Sequence, residues 1–243
     1  MHLSLPGQGM NTPILTIEEQ QNVESGAWFS TLSEELRAAI LSRAVVRRLP
    51  DGATLATRGS PAEEWCGVAR GAVRISSVSL SGKQVSLTYV EPGTWFGDIA
   101  LFDGLPRTHD ADAHGATTLL SVRKGDFKEL LQQHVELYDA LLRLNCRRLR
   151  IMFNLVEDLN TRPLSARLAK NILMLAKSYG IHQGDEVRIG LQLAQEDLAQ
   201  LVGASRQRVN QELKELEREG ALRIEPTRIV VLSRDRLVQA AER

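Results

Sequence analysis

Residues 97–113 read GDIALFDGLPRTHDADA and mix side chains that attract an anion with others that repel one. An arginine offers a planar fork of donors, and the neighbouring threonine adds a hydroxyl. The predicted cradle for a charged ligand consists of Gly97, Asp98, Arg107 and Thr108. The same loop also carries His109, Asp110 and Asp112, and the two acids would oppose a phosphate. The sequence therefore raises two interpretations, a working anion site or a loop that has become purely structural.

A second informative stretch, residues 195–219, reads QEDLAQLVGASRQRVNQELKELERE and predicts a helix-turn-helix. Gly203-Ala204 predicts a tight turn after a helix with one apolar face, and Ser205 predicts the N-cap of the next helix. The side chains predicted to contact DNA are Ser205, Arg206, Gln207, Arg208, Asn210 and Gln211. Arginine pairs bidentately with guanine edges, and glutamine or asparagine with adenine edges. We predict DNA binding; the alternative is an ordinary helical hairpin with solvated polar residues.

The sequence around these two stretches changes in residue pattern along the chain. Segments such as GAVRISSV, QVSLTYV and TTLLSVR, separated by glycine turns, predict a β-roll, with Ser81-Gly82 as one hairpin turn. LSEELRAAILSRA predicts a helix that Ser33 caps, and residues 221–232 predict a wing of two strands around Pro226.

A stretch from Asp126 to about Asn160 lacks Gly and Pro and predicts one long helix. Its apolar residues form two stripes: Leu137, Leu141, Leu144, Ile151, Leu155 and Leu159, then Leu142, Leu149, Met152 and Val156. Two stripes favour a helix that covers its own β-domain and a partner helix, because the helix is too long for one small domain. The alternative is a helix buried within a monomer. Pro163 predicts the end of the helix and a domain boundary.

Composition sets the outer bounds. The charges of thirty basic and thirty acidic residues cancel, so the net charge does not indicate a nucleic-acid or membrane partner. Two cysteines, Cys66 and Cys146, without a CxxC pattern favour a reduced, cytoplasmic protein with no metal site. No apolar run is long enough for a membrane span, and no nucleophile–base pair or phosphate loop indicates an enzyme.

We expect an α+β protein in four parts: a flexible N-terminal tail over 1–27, a β-roll over 28–125, a long dimerisation helix over 126–160 and a winged helix-turn-helix over 163–236. The tail prediction rests on the polar composition of the first residues and on their Pro and Gly.

Taken together, the β-roll glycines, GDIALFDGLPRT, the RRL of the long helix and VGASRQRVNQELKELEREG resemble the Crp/Fnr family of bacterial transcription regulators over about residues 28–236. The resemblance implies a cyclic-nucleotide-binding-like jelly roll and a homodimer joined by the long helix. It also implies a winged helix in each major groove of an operator, and RNA polymerase as the partner of an activator.

The resemblance also assigns an effector site. In relatives that bind cyclic AMP, a Glu takes the ribose hydroxyl, and an Arg-Ser pair holds the phosphate. Gly97 and Arg107 match that pattern, and Asp98 and Thr108 are altered equivalents. The adenine-reading Thr-Ser pair of those relatives falls on Met152 and Phe153, which cannot make hydroxyl hydrogen bonds.

We therefore expect an effector other than cyclic AMP, with cyclic di-GMP a candidate, or else a ligand-free β-roll controlled by a protein partner. A basic stripe that could suit two phosphates, or be only a solvated face, consists of Arg143, Arg147 and Arg150. In the recognition helix Arg206 matches the family, whereas Gln207 and Gln211 replace a Glu and an Arg, which predicts a different operator.

Overall fold

The computed structural model of the protein describes residues 14–79, 82 and 84–243. Along this part of the chain the helices are α1 (Ile17–Glu24), α2 (Glu34–Arg43), α3 (Ile99–Asp103), α4 (Lys124–Gln133), α5 (Glu136–Thr161), α6 (Leu164–Tyr179), α7 (Gln195–Val202), α8 (Arg206–Arg218) and α9 (Arg234–Glu242). The strands are β1 (Val45–Leu49), β2 (Thr54–Ala56), β3 (Glu64–Val78), β4 (Gln84–Val90), β5 (Trp95–Phe96), β6 (Asp110–Arg123), β7 (Gly180–Gln183), β8 (Glu186–Ile189), β9 (Leu222–Glu225) and β10 (Arg228–Val231). The order of elements confirms the predicted α+β class.

The N-terminal half is an antiparallel β-roll in the order β1-β6-β3-β4, with β2 on β6 and β5 on β3. β3 and β4 pair as the predicted hairpin, with Val78 opposite Gln84, although Ser81 itself lies outside the described residues. Gly67 of β3 lies against the indole of Trp95, where an added Cβ would be only 2.7 Å from a ring carbon. The glycine therefore lets β3 and β5 pair directly over a large aromatic residue.

The expectation of a flexible tail over residues 1–27 is wrong for Ile17–Glu24, which forms α1. Thr16 and Glu19 form a reciprocal capping box, which satisfies the first backbone donors of the helix. Val23 is buried, and the buried carboxylate of Glu19 bonds Arg48 at 2.7 Å and Thr118 at 2.7 Å. Residues 1–13 of the predicted tail lie outside the described residues.

The single helix predicted over residues 126–160 is also wrong, because the chain forms α4 and α5 with a break at His134. α4 buries Phe127, Leu130 and Leu131 against the β-roll, and α5 then buries Leu137 and Leu141 in the same core. Both α4 and α5 can bury their apolar faces against one roll only if the chain changes direction between them. No Gly or Pro at the break predicts that change. By contrast, α2 begins at the predicted cap, where Ser33 Oγ accepts from the Leu36 amide at 3.2 Å.

The C-terminal half is a winged helix. A four-stranded sheet in the order β7-β8-β10-β9 packs with α6, α7, α8 and α9 around one apolar core. The predicted wing strands are β9 and β10, joined through Pro226 and Thr227. The strands β7 and β8 lie between α6 and α7 and pair with each other, and the sequence analysis predicted neither of them. The predicted end at residue 236 is too early, since Leu237, Ala240 and Ala241 of α9 are buried.

The two halves also touch away from the covalent connection. Tyr89 of β4 belongs to the apolar core of the winged helix and stacks edge-on to His114, with ring centroids 4.9 Å apart. His114 Nε2 donates to the carbonyl oxygen of Gln192 at 2.6 Å. The backbone amide of Ser86 donates to Gln200 Oε1 of α7 at 2.8 Å. The β-roll therefore contacts the first helix of the helix-turn-helix directly.

None of the helices in the described part of the chain is long and apolar enough to span a membrane.

Candidate effector site and nucleic-acid interface

Gly97 and Arg107, two residues of the predicted cradle, lie in contact. Gly97 adopts φ +93°, and a Cβ there would be 2.8 Å from Arg107 Nη1 and 3.3 Å from the Glu64 carbonyl oxygen. Arg107 Nη2 donates to that carbonyl oxygen at 2.9 Å. Glycine suits residue 97 because it tolerates the positive φ and leaves room for the guanidinium of Arg107.

Asp98 lies at the N-terminus of α3 with its side chain only 1% exposed, and α5 surrounds it with donors. Arg148 Nη1 donates to both carboxylate oxygens, at 2.9 and 3.1 Å, and Asn145 Nδ2 donates to one of them at 2.9 Å. Arg148 Nη2 also bonds the carbonyl oxygen of Trp95. The buried carboxylate thus has its charge paired and its hydrogen bonds made by protein groups.

Sequence reasoning missed the roles of Asn145 and Arg148. Arg148 belongs to the RRL stretch that supported the family resemblance, but the basic stripe was drawn through its neighbours. Of that stripe, Arg143 pairs with exposed Asp139 at 2.7 Å, and Arg147 and Arg150 are exposed. A signal was available: Asp98 was predicted to share a site with the long helix, and a buried carboxylate needs a basic residue to pair with it.

The two acids that follow the cradle, Asp110 and Asp112, make their hydrogen bonds elsewhere in the roll. Asp110 Oδ1 accepts from the Arg58 amide at 2.8 Å. Asp112 pairs with Arg74 at 3.1 Å and accepts from the Thr54 hydroxyl at 3.0 Å. Asp112 therefore joins β6 to β3 and β2 and has its charge paired with Arg74, whereas Asp110 binds a backbone amide of the turn after β2.

Thr108 and His109 complete the loop. Thr108 is exposed, and its hydroxyl lies 2.8 Å from His109 Nδ1. Burial lowers the pKa of His109, and the nearby Arg58 guanidinium lowers it further, against the opposing effect of Asp110. A lowered pKa favours the neutral imidazole, so His109 adds no positive charge that would attract an anion to the Thr108 end of the loop.

Met152 and Phe153 do not close over this loop in the protomer. They lie about one turn beyond Arg148 on α5, and their side chains are 54% and 65% exposed. Their predicted place in the effector site remains a prediction, and the exposed position of Met152 fits the second apolar stripe of the helix equally well.

The helix-turn-helix has the geometry that its sequence predicts. Gly203 ends α7 with φ +66°, and Ser205 caps α8 by accepting from the Arg208 amide at 3.4 Å. α8 buries Val209, Leu213 and Leu216 beneath it. Among the residues predicted to contact DNA, Ser205, Arg206, Gln207, Arg208 and Gln211 are exposed. Asn210 is half-buried and accepts from Gln195 at 3.5 Å, so it faces α7 more than its neighbours do.

A β-roll with an anion-type loop, a long helix and a capped, polar recognition helix beside a wing together have the architecture of a transcriptional regulator with a DNA-binding winged helix. Two family models match the corresponding regions, the cyclic nucleotide-binding domain over residues 46–134 and the Crp-like helix-turn-helix domain over residues 166–240. The chain belongs to the Crp/Fnr family of transcriptional regulators, which confirms the resemblance.

The chain is similar to two CRP-family regulators and shares its fold with a third protein. The chain is 32% identical over 192 residues to a CRP-like cAMP-activated global transcriptional regulator of Mycobacterium tuberculosis, covering 79% of this chain and 86% of the relative. A CRP/FNR-family regulator of Thermus thermophilus superposes with a TM-score of 0.64 at 27% identity, over 82% of this chain and 98% of that one. The c-di-GMP responsive global regulator of Xanthomonas campestris shares the fold, with a TM-score of 0.70 at 20% identity, over 83% and 100% of the two chains.

Proposed function

We propose that this chain regulates transcription as a homodimer whose α5 helices pair and whose α8 helices bind two operator half-sites. One observation carries the dimer. Positions spaced alternately by three and four residues form a single stripe on α5 and its N-cap: Val135, Tyr138, Leu142, Asn145, Leu149, Met152, Val156 and Leu159. All seven apolar members are 44–74% exposed. This spacing is the seam of a left-handed coiled coil, and we call it the α5 seam.

The α5 seam can be tested with Leu149→Gln, measured by sedimentation equilibrium. Leu149 is 55% exposed in the protomer, so its replacement should spare the fold while placing an amide in the seam. We expect at least a tenfold weaker dimer, about 1.4 kcal/mol. Met174→Gln, at a similarly exposed residue of α6, is the matched control and should leave the dimer unchanged.

DNA recognition through α8 rests on its capped N-terminus and exposed donors. In a two-fold dimer the two helices should bind half-sites about one DNA turn, ~34 Å, apart. Arg206→Ala should weaken binding to sequences selected from a random duplex pool by about 1–3 kcal/mol. Arg234→Ala on α9 removes the same charge from an exposed site off the recognition helix and is the control. Equal losses for both variants would count against α8 as the reading element.

For the effector, we infer a ligand other than cyclic AMP, held by the loop of Gly97, Asp98, Arg107 and Thr108. The M. tuberculosis relative is named as cAMP-activated and the X. campestris regulator as c-di-GMP responsive, so relatives differ in their ligand. Met152 and Phe153 offer no hydroxyl, and the Asp98 carboxylate already accepts three hydrogen bonds. A nucleotide whose ribose must bond Asp98 would have to displace Asn145 or Arg148.

The same saturation of Asp98 favours a second candidate, a ligand-free β-roll under the control of a protein partner. Calorimetry with cyclic AMP, cyclic GMP and cyclic di-GMP, paired with DNA-binding anisotropy, separates the two. Tight binding of cyclic AMP would refute the effector proposal. Binding of another nucleotide with a change in DNA affinity would support it. DNA binding by the apo protein, unmoved by all three nucleotides, would favour the ligand-free candidate.

A further inference from the structure

The inner face of the β-roll changes from apolar to polar at one end. Ala56 of β2, Ile75 of β3 and Ala111 of β6 lie opposite one another and pack in the apolar cluster inside the roll. Side chains alternate between the two faces of a strand, so residues two positions apart share a face. The next inward positions at this end form what we call the polar layer: Arg58, Ser77 and His109.

Two contacts agree with this placement of the polar layer. Arg58 Nη1 donates to Ser77 Oγ at 3.1 Å, which joins the turn after β2 to β3. Burial lowers the pKa of His109, and the Arg58 guanidinium lowers it further because the cation lies close to the ring. The three side chains of the polar layer are therefore neighbours, although they come from three separate segments of the chain.

Backbone hydrogen bonds join the polar layer to Arg107 of the candidate effector loop. The Gly59 amide donates to the Arg107 carbonyl oxygen, and the Arg107 amide donates to the Ser60 carbonyl oxygen, both at 2.8 Å. Arg58 precedes Gly59, and His109 lies two residues after Arg107, so the two segments run side by side here. The polar layer therefore adjoins the side chains that are predicted to hold the effector.

The polar layer offers hydrogen-bond donors and a positive charge. Arg58 is exposed, and within the described residues its guanidinium bonds a neutral hydroxyl and forms no ion pair. The nearby acid, Asp110, accepts from the Arg58 backbone amide instead, at 2.8 Å. His109 Nδ1 lies 2.8 Å from the Thr108 hydroxyl, and a bond between the two groups uses one proton, whichever of them donates it. The other proton, on Nε2 of a neutral His109 or on the Thr108 hydroxyl, stays free to bond a ligand.

We propose that the polar layer binds a second anionic group of the effector, beside the group that Arg107 and Thr108 hold. This inference rests on the proposed effector site and deepens it by stating the chemistry of the ligand, which carries two oxyanion groups, phosphate or carboxylate, on one molecule. The planar fork of Arg58 matches either group. A ligand with a single phosphate, such as cyclic AMP, would place a neutral group there and gain no ionic contact with Arg58.

The first test measures the binding of small anions to the full chain by calorimetry, with phosphate against pyrophosphate and acetate against succinate. We expect a two-anion probe to bind about tenfold or more tightly than its one-anion counterpart, and the pair with this advantage identifies the anion class. Arg58→Gln should remove the advantage and spare the one-anion probe, and Arg58→Lys should restore part of it. Arg147→Gln, at an exposed arginine of the α5 basic stripe, is the matched control.

The outcomes separate the polar layer from the effector loop. The inference is overturned if the native chain shows no two-anion advantage, if Arg58→Gln keeps the advantage, or if Arg147→Gln loses it equally. Arg107→Gln should weaken the binding of both kinds of probe. If it does so and no two-anion advantage exists, the effector loop stands and the polar layer is wrong. If no probe binds, or if Arg107→Gln changes nothing, the effector proposal fails as well.

The second test reads the place of the bound anion rather than its affinity. NMR titration of the His109 imidazole, assigned with His109→Gln, gives the pKa of this residue. Arg58→Gln should raise that pKa, because it removes a cation beside the ring. Saturating pyrophosphate or succinate should also raise it in the native chain, because an anion then lies beside the ring. A bound two-anion probe that leaves the pKa of His109 unchanged would show that its second anion lies elsewhere and would overturn the inference.

Discussion

Asp98 and Arg148 join the β-roll to α5 through two charge-assisted hydrogen bonds of 2.9 and 3.1 Å. The two partners differ in environment: the Asp98 side chain is 1% exposed, and the Arg148 side chain is 30% exposed. The acid cannot reach water if its partner is lost, whereas the guanidinium can. Asp98 therefore depends on Arg148 to compensate its charge, whereas Arg148 can exchange Asp98 for water.

This asymmetry predicts unequal costs for the two halves of the pair. Arg148→Met leaves a buried carboxylate with Asn145 as its remaining side-chain donor and should cost about 3 kcal/mol of unfolding free energy. Asp98→Asn leaves an arginine that can turn to solvent and should cost about 1 kcal/mol. Urea unfolding followed by tryptophan fluorescence measures both, because Trp95 lies next to the pair. Equal costs would contradict the asymmetry.

The N-cap of α8 should matter for DNA binding as well as for stability. Ser205→Ala removes the acceptor for the Arg208 amide and should cost about 1 kcal/mol of stability. It should also weaken DNA binding, because the first turn carries the reading side chains. Ser233→Ala is a matched control, since Ser233 caps α9 by accepting from the Arg236 amide at the same 3.4 Å. It should cost similar stability and leave DNA affinity unchanged in an anisotropy titration.

Operator preference should change with Gln207. Glutamine pairs bidentately with adenine, whereas glutamate accepts from the amino group of cytosine. Gln207→Glu should therefore shift the preferred base at one position of each half-site from adenine toward cytosine. Selection from randomised duplexes, followed by sequencing, reads this shift. An unchanged preference would mean that Gln207 does not read a base.

Tyr89 should couple the unfolding of the two halves. It is a β-roll residue in the winged-helix core, so Tyr89→Ala should remove about 3 kcal/mol of contact between them. All three tryptophans, Trp28, Trp65 and Trp95, lie in the β-roll half. Tryptophan fluorescence should then report the unfolding of the roll, and the helical circular dichroism signal should report the unfolding of the whole chain. The two curves should separate in Tyr89→Ala and stay together in Tyr89→Phe, which keeps the ring.

Acid should release α1 from the roll through Glu19. Burial raises the pKa of this carboxyl, but hydrogen bonds from Arg48, the Thr16 amide and Thr118 outweigh it and lower the pKa to about 2. A depressed folded-state pKa stabilises the fold above the ordinary value near 4.5, and this stabilisation is lost as pH falls toward 2. The stability difference between the native chain and Glu19→Gln should shrink over that window. A constant difference would exclude this linkage.

Local chemistry made part of the molecule predictable from sequence. Ser33, Gly203 and Ser205 each satisfy a backbone requirement of a helix end, so the ends that they define follow from their residue types. The break at His134 and the pairing of Asp98 with Arg148 depend instead on where the roll lies relative to α5. Helix α1 has a local signal in the Thr16–Glu19 capping box, but its burial against the roll depends on Arg48 and Thr118, which are distant in sequence. Long-range pairings of this kind leave no local pattern.

The contact between Ser86 and Gln200 has a mechanical consequence. The winged helix is attached in two regions, by the covalent link after Thr161 and by the β-roll residues Ser86, Tyr89 and His114. A displacement of β4 or β6 would move the second attachment, and a displacement at the end of α5 would move the first. The orientation of α8 relative to DNA therefore depends on the positions of both attachments.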